Sequence, residues 1–288
     1  MRETGSLVLA GSAIVPDSLR HPRRVYGVDF SGAAGAGERI WIAQAAVIGD
    51  ALAIEACHRG MDLPGSGPER DRCLPALRDL VGREESSAFG LDFPFGLPRE
   101  LIMEDSWENF VLGFRGRYSD PESFRAQCRA ATGGAELKRR TDRESRTPFS
   151  AYNLRLYRQT YYGIRDVLAP MIQDRRVCVL PMQPAQSGRP WLMEICPAST
   201  LKHEGISMPY KGRGGERYAA RARILKKIEG RAPLSIPTAL RRLILDDYQG
   251  DALDSVLAAY AVFRTLRDSV SLATASHSPY ELEGYVYI

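Results

Sequence analysis

Apolar residues gather in three short blocks near the start of the chain. Val25, Tyr26 and Val28 form the first, Ile40, Trp41, Ile42, Ala43, Ala45 and Val47 the second, and the stretch 51–57 the third. Blocks this short, bounded by Gly, Asp and Ser, predict strands over about 24–30, 38–48 and 51–57. "SGAAGAG" reads as a loose hairpin loop and Gly49-Asp50 as a two-residue turn, so the three strands form an antiparallel meander. Leu74, Leu77, Leu80 and Val81 then recur at helical spacing, with Pro75 expected in the first turn. "SAFGLDFPFGLP" predicts a fourth strand, stopped by Pro94 and Pro98. Residues 99–175 are polar, rich in arginine and helical in pattern, and read as an insertion. "DRRVCVLPM" and "RPWLMEICPAS" predict two further strands around a turn at "QPAQSG". A helix follows at 216–229, then a second, "YQGDALDSVLAAYAVFRTLRD", apolar around much of its circumference, and "EGYVYI" ends as an edge strand. The order β-β-β-α-β-α-β-α predicts an α/β chain: a meander, then parallel strands reached through crossovers, in a mixed sheet flanked by helices.

Composition narrows the class without naming an activity. The chain has 288 residues, 44% hydrophobic and 26% charged, as soluble globular proteins do. Residues 24–288 read as a single domain with a helical insertion, and residues 1–23 as a flexible tail, since Gly11 and Ser12 interrupt its apolar run. No apolar run is long enough for a membrane span, so no membrane partner is expected. Cys57, Cys73, Cys128, Cys178 and Cys196 are scattered with no C-x-x-C pair, which fits a reducing cytoplasm and gives no zinc site or disulfide framework. The four histidines form no cluster. A metal here must be held by oxygen, which points to magnesium or manganese. The net charge of +4 is compatible with a nucleic-acid partner.

The acids supply the candidate chemistry. Asp29 ends the first strand and Asp92 the fourth, each just before a Gly- or Pro-rich turn. If those strands are neighbours, the two carboxylates meet at one edge of the sheet. Asp251 and Asp254 lie three apart on one face of the last long helix, together with the small residues Ser255 and Ala258, which let that helix approach the sheet. Glu194 is a further acid in an apolar strand, and Asp247 stands just before the helix. Taken singly, each acid also suits a turn or a helix cap. Taken together, Asp29, Asp92, Asp251 and Asp254 form the ligand set of a two-metal site for phosphoryl transfer, with Glu194 as a further candidate catalytic acid. "KRRTDRESR" (138–146) and "YKGRGGERYAARARILKK" (210–227) offer basic surface for a phosphate backbone, and Tyr157, Tyr161 and Tyr162 offer rings for stacking bases; solvated helix faces and core packing are the plainer readings.

"YGVDFSG", "GLDFPFGLP", "MEICPAS" and "DALDSVLAAYAV" resemble, in order across about residues 24–268, the four blocks of the domain-of-unknown-function family 429, predicted nucleases of the ribonuclease-H-like superfamily. The resemblance implies a ribonuclease-H-like fold, hydrolysis of phosphodiester bonds of DNA or RNA with magnesium or manganese, and an acid set that falls on Asp29, Asp92, Asp251 and Asp254. Two alternatives share the topology. One is an actin-like or sugar-kinase-like phosphotransferase that binds ATP at "SGAAGAG", although a second copy of "GVDFSG" is absent. The other is a non-catalytic nucleic-acid-binding protein.

Overall fold

The computed structural model describes residues 22–268, 272 and 279–288; the predicted tail lies outside them up to residue 21. The first three strands, β1 (Arg24–Asp29), β2 (Trp41–Ile48) and β3 (Ala51–Arg59), form the antiparallel meander, with a bulge between Gln44 and Ala45. β4 (Ser87–Leu91), β5 (Cys178–Leu180), β6 (Trp191–Ile195), β7 (Leu234–Ser235) and β8 (Val286–Tyr287) complete an eight-stranded mixed sheet. Its order is β5-β6-β4-β1-β2-β3-β7, and β8 also pairs with β6. β4 lies parallel to β1, so the two strands that end in Asp29 and just before Asp92 are neighbours.

Helices cover both faces. α1 (Ala36–Arg39) is a single turn between β1 and β2, where the sequence suggested only a loose loop. α2 (Arg70–Arg83) carries Leu74, Leu77 and Val81 into the core. Pro75 sits inside α2 rather than in its first turn, so the carbonyl of Asp71 loses its helical donor. The insertion contains α3 (Trp107–Arg117), α4 (Pro121–Ala131), α5 (Arg140–Glu144), α6 (Tyr157–Tyr162) and α7 (Ala169–Gln173), the last two joined by a wider π turn at Gly163–Leu168. α8 (Pro197–His203), α9 (Gly215–Glu229), α10 (Thr238–Asp246) and α11 (Asp251–Arg267) follow. Tyr26, Val28, Phe89 and Leu91 pack with α2 and the insertion on one face. Val25, Ala43, Ala88 and Met193 pack with α9, α10 and α11 on the other.

Two features were not legible as turns and strands. β5 and β6 are parallel, so residues 181–190 carry the chain back along the sheet rather than around a tight turn. β7 adds a short parallel edge to β3. None of the described helices is long and apolar enough to cross a membrane.

Side-chain alternation along β1 decides what meets α11. Val25, Gly27 and Asp29 share the face toward α11, while Tyr26 and Val28 face the insertion. Gly27 pairs with Gly90 of β4 in register, and α11 runs over both. A Cβ at Gly27 would lie 1.9 Å from the Ser255 carbonyl oxygen and 2.3 Å from the Ala259 nitrogen. A Cβ at Gly90 would lie 2.7 Å from Val262 Cγ2 and 3.0 Å from the Ala258 carbonyl oxygen. Two strand glycines under Ser255, Ala258 and Ala259 thus bring the helix backbone onto the sheet. The same alternation carries Asp29, two residues beyond Gly27, to the start of that helix.

Candidate functional site

One carboxylate oxygen from each of Asp29, Asp251 and Asp254 lies within 4.8 Å of the other two. Asp29 and Asp254 are buried, at 8% and 4% exposure, and Asp251 is partly buried. Asp92 stands outside this trio but shares a cavity of about 260 Å³ with Asp29 and Asp254. Its backbone N–H donates to the Val28 carbonyl at 3.0 Å, which holds it beside the end of β1. Removal from water, and then the Asp254 charge, push the Asp92 carboxyl up to about 8. Burial raises Asp29 and Asp254 in the same direction, and for Asp29 the charges of Asp254 and Asp251 add to it. Buried carboxylates held together resist ionisation unless a cation offsets them.

The structure supplies one such cation, which the sequence concealed within a basic run. Lys211 Nζ lies 2.9 Å from Asp251 Oδ1 and 2.7 Å from Asp254 Oδ2. Burial works against its charge, but Asp254, Asp29 and Asp251 together raise its pKa. Its neighbour Tyr210 donates a hydrogen bond to Asp254. Only the pair "YK" ahead of a glycine-rich stretch was visible in the sequence, and nothing in it aims these side chains at acids forty residues away. Asp247 is spent differently: its carboxylate accepts from Ala252 N at 2.9 Å and so satisfies a free donor at the start of α11. Gly250, at φ +81°, makes the turn between them.

Glu194 lines the same cavity as Asp29, Asp92 and Asp254, and its charge adds to the rise of the Asp92 carboxyl, but its oxygens are engaged by an arginine. β6 alternates so that Met193 and Ile195 face α11, and Glu194 faces the insertion. There Arg139 Nη1 donates to Glu194 Oε2 at 2.8 Å, and Arg139 Nη2 to its other oxygen. The same guanidinium donates to both oxygens of Asp142 at 2.8 and 3.0 Å and to the Glu283 carbonyl at 3.1 Å. Phe95 N completes the set on Glu194 Oε2 at 2.8 Å. This bidentate, nearly solvent-free cluster ties the sheet, the insertion and the C-terminal segment together. Arg139, at 1% exposure, is therefore not part of a basic surface, whereas Arg140, Arg143 and Arg146 of the same run are exposed.

For two of the tyrosines the plainer reading, core packing, is the one observed. Tyr157 and Tyr161 are buried in the core, and the guanidinium of Arg70 covers the Tyr162 ring at 3.6 Å from its centroid. Comparison of the chain with known protein families, with characterised proteins and with solved structures gives no match.

Proposed function

We propose that the chain is a metal-dependent nuclease of ribonuclease-H-like architecture, as its resemblance to family 429 implies. The convergence of Asp29, Asp251 and Asp254 within 4.8 Å, from a strand end and a helix start, carries this reading. An adjacent parallel strand brings Asp92 to the same edge, and the sheet order supports the same architecture. The donor set fits a hard divalent cation. All its atoms are carboxylate oxygens, and four acids face a single ammonium, so negative charge is left for a metal to offset. Asp29, Asp251 and Asp254 would hold the cation, with Asp92 beside them. Bound magnesium or manganese supplies Lewis acidity toward a phosphoryl oxygen and lowers the pKa of water.

The chain's own groups have separable tasks. Tyr210 fixes the orientation of Asp254 by its hydrogen bond. Lys211 is half exposed at the mouth of the cluster, and its ammonium stands where a phosphoryl group would carry negative charge. The close contact of α11 with Gly27 and Gly90 holds the helical acids against the strand acid.

The test is a manganese titration followed by thermal melting and by cleavage of labelled single- and double-stranded DNA and RNA. The parent is expected to gain thermal stability with manganese and to cleave at least one substrate, and Asp29→Asn to lose both. An equal manganese-induced rise in parent and Asp29→Asn would remove the metal site and the nuclease with it.

A further inference from the structure

Beside the acids lies a cleft of about 680 Å³. Asp29, Asp251 and Lys211 belong to its lining. One wall is the loop Ser31–Ala34 with Arg39, and the other is the start of α4 with residues 154–162. Arg39, Arg70, Arg155 and Arg158 also line the cleft, Arg155 reaching the cavity that holds Asp29, Asp92 and Asp254, and Glu122 among them is paired with Arg158 at 2.6 Å. Arg39 and Arg155 are exposed and form no ion pair among the described residues. Arg70 donates to the Gly32 carbonyl at 3.2 Å, and its Nε, which makes no hydrogen bond, lies 3.7 Å from Asp71 Oδ1. The cleft therefore carries guanidinium groups together with the carboxylates of the acidic cluster.

Resting on the nuclease reading, we infer that this cleft receives a single-stranded nucleic-acid segment and reads its phosphates rather than its bases. Pockets of about 300–1,000 Å³ enclose a ligand of drug size, which corresponds to a nucleotide or two. A duplex, whose major groove alone is about 12 Å across, does not enter such a space. The rings that could stack bases are already covered. Arg70 lies over Tyr162, and Arg158 lies 5.1 Å from the Tyr157 centroid. Arg155 likewise lies 5.4 Å from the Phe149 centroid, so each of these guanidinium groups is held against a ring. A strand with its reacting phosphate at the acids would lay neighbouring phosphates on Arg39, Arg70, Arg155 and Arg158. Several separate cations match a repeating phosphate better than the single polyphosphate of a free nucleotide. Recognition of this kind is insensitive to sequence and sensitive to salt.

The test measures binding without cleavage. Fluorescein-labelled oligothymidylate and oligoadenylate twelve-mers and a blunt twelve-base-pair duplex are titrated with the full chain in EDTA across a series of salt concentrations, read by anisotropy. The two single strands are expected to bind within threefold of each other, and the duplex at least tenfold more weakly. Arg39→Ala/Arg155→Ala is expected to lose at least tenfold in affinity and about 1.4 in the slope of log affinity against log salt, at roughly 0.7 per lost contact. Arg223→Ala/Lys227→Ala, which removes the same charge from the exposed face of α9, is expected to bind as the parent does. Equal loss in both double variants, no loss in the first, equal binding of the duplex, or displacement of the strand by equimolar ATP would each overturn the proposal. Because EDTA leaves the carboxylates to repel the phosphate, Asp29→Asn is expected to bind the strand at least as tightly as the parent. A failure of the nuclease reading alone would then appear as binding without cleavage, and a failure of the cleft alone as a manganese response without strand binding.

Discussion

Replacing Gly27 by alanine tests whether the close approach of α11 to the sheet builds the acidic site. The added Cβ would lie 1.9 Å from the Ser255 carbonyl oxygen, and an unstrained contact needs about 3.4 Å, so the helix must withdraw by about 1.5 Å. The obstacle is backbone, and no rotamer change relieves it. Overpacking in a core costs about 1–3 kcal/mol, occasionally more. Here the withdrawal also loosens a helix whose apolar residues, from Leu253 to Phe263, are all buried, so the loss should reach the upper end, about 3 kcal/mol. Against a total stability of about 5–15 kcal/mol this is readily measured by urea unfolding. Gly116→Ala is the control. Gly116 lies in α3 with open space around its would-be Cβ, and alanine there should gain up to about 1 kcal/mol from helix propensity. A second control, Leu77→Ala, costs about 2–5 kcal/mol in the core of the opposite face and leaves α11 in place. If the site depends on the close approach, Gly27→Ala should lose most of the manganese-induced rise in melting temperature, whereas Leu77→Ala should retain it. A Gly27→Ala protein within 0.5 kcal/mol of the parent, or one with an undiminished manganese response, would refute the reasoning.

Three further outcomes follow from the same geometry. The Asp92 pKa is raised to about 8 in the folded protein against about 3.9 in the unfolded chain, so its contribution is fully present below about pH 4 and is lost as pH rises through 8. Urea unfolding in EDTA should therefore show stability falling from pH 5 to pH 8, by up to about 1.4 kcal/mol per unit from this group, and Asp92→Asn should flatten the fall; a rise with pH in the parent would contradict it. Arg139→Met should destabilise by about 3–5 kcal/mol in denaturant melts because it leaves Glu194 and Asp142 buried without their cation, and a loss under 1 kcal/mol would show the cluster to be expendable. Lys211→Met should lower the melting temperature in EDTA and enlarge the rise that manganese produces, since among the described residues no other ion pair reaches Asp251 or Asp254; a smaller rise would mean that Lys211 assists the metal rather than competes with it.

The local pattern of the chain determined the meander, the helix read at 216–229 and the long buried helix, because each has an apolar pattern of its own and a clear turn or glycine at its boundary. It also determined that Asp29, Asp92, Asp251 and Asp254 would stand at element ends, where glycine and proline stop a strand or a helix begins. Which of them meet was decided by tertiary structure. The parallel pairing of β1 with β4, and two glycines in register beneath α11, bring the carboxylates of strand and helix to one place. Glu194 shows why the sequence could not settle its own side: "WLMEI" is buried on both faces, so its apolar residues do not reveal which way the acid points. Arg139, Tyr210 and Lys211 were hidden for a related reason. A cation in a basic run looks the same whether it faces water or a buried carboxylate, and only the packing of distant segments brings Arg139 to Glu194 and Lys211 to Asp254.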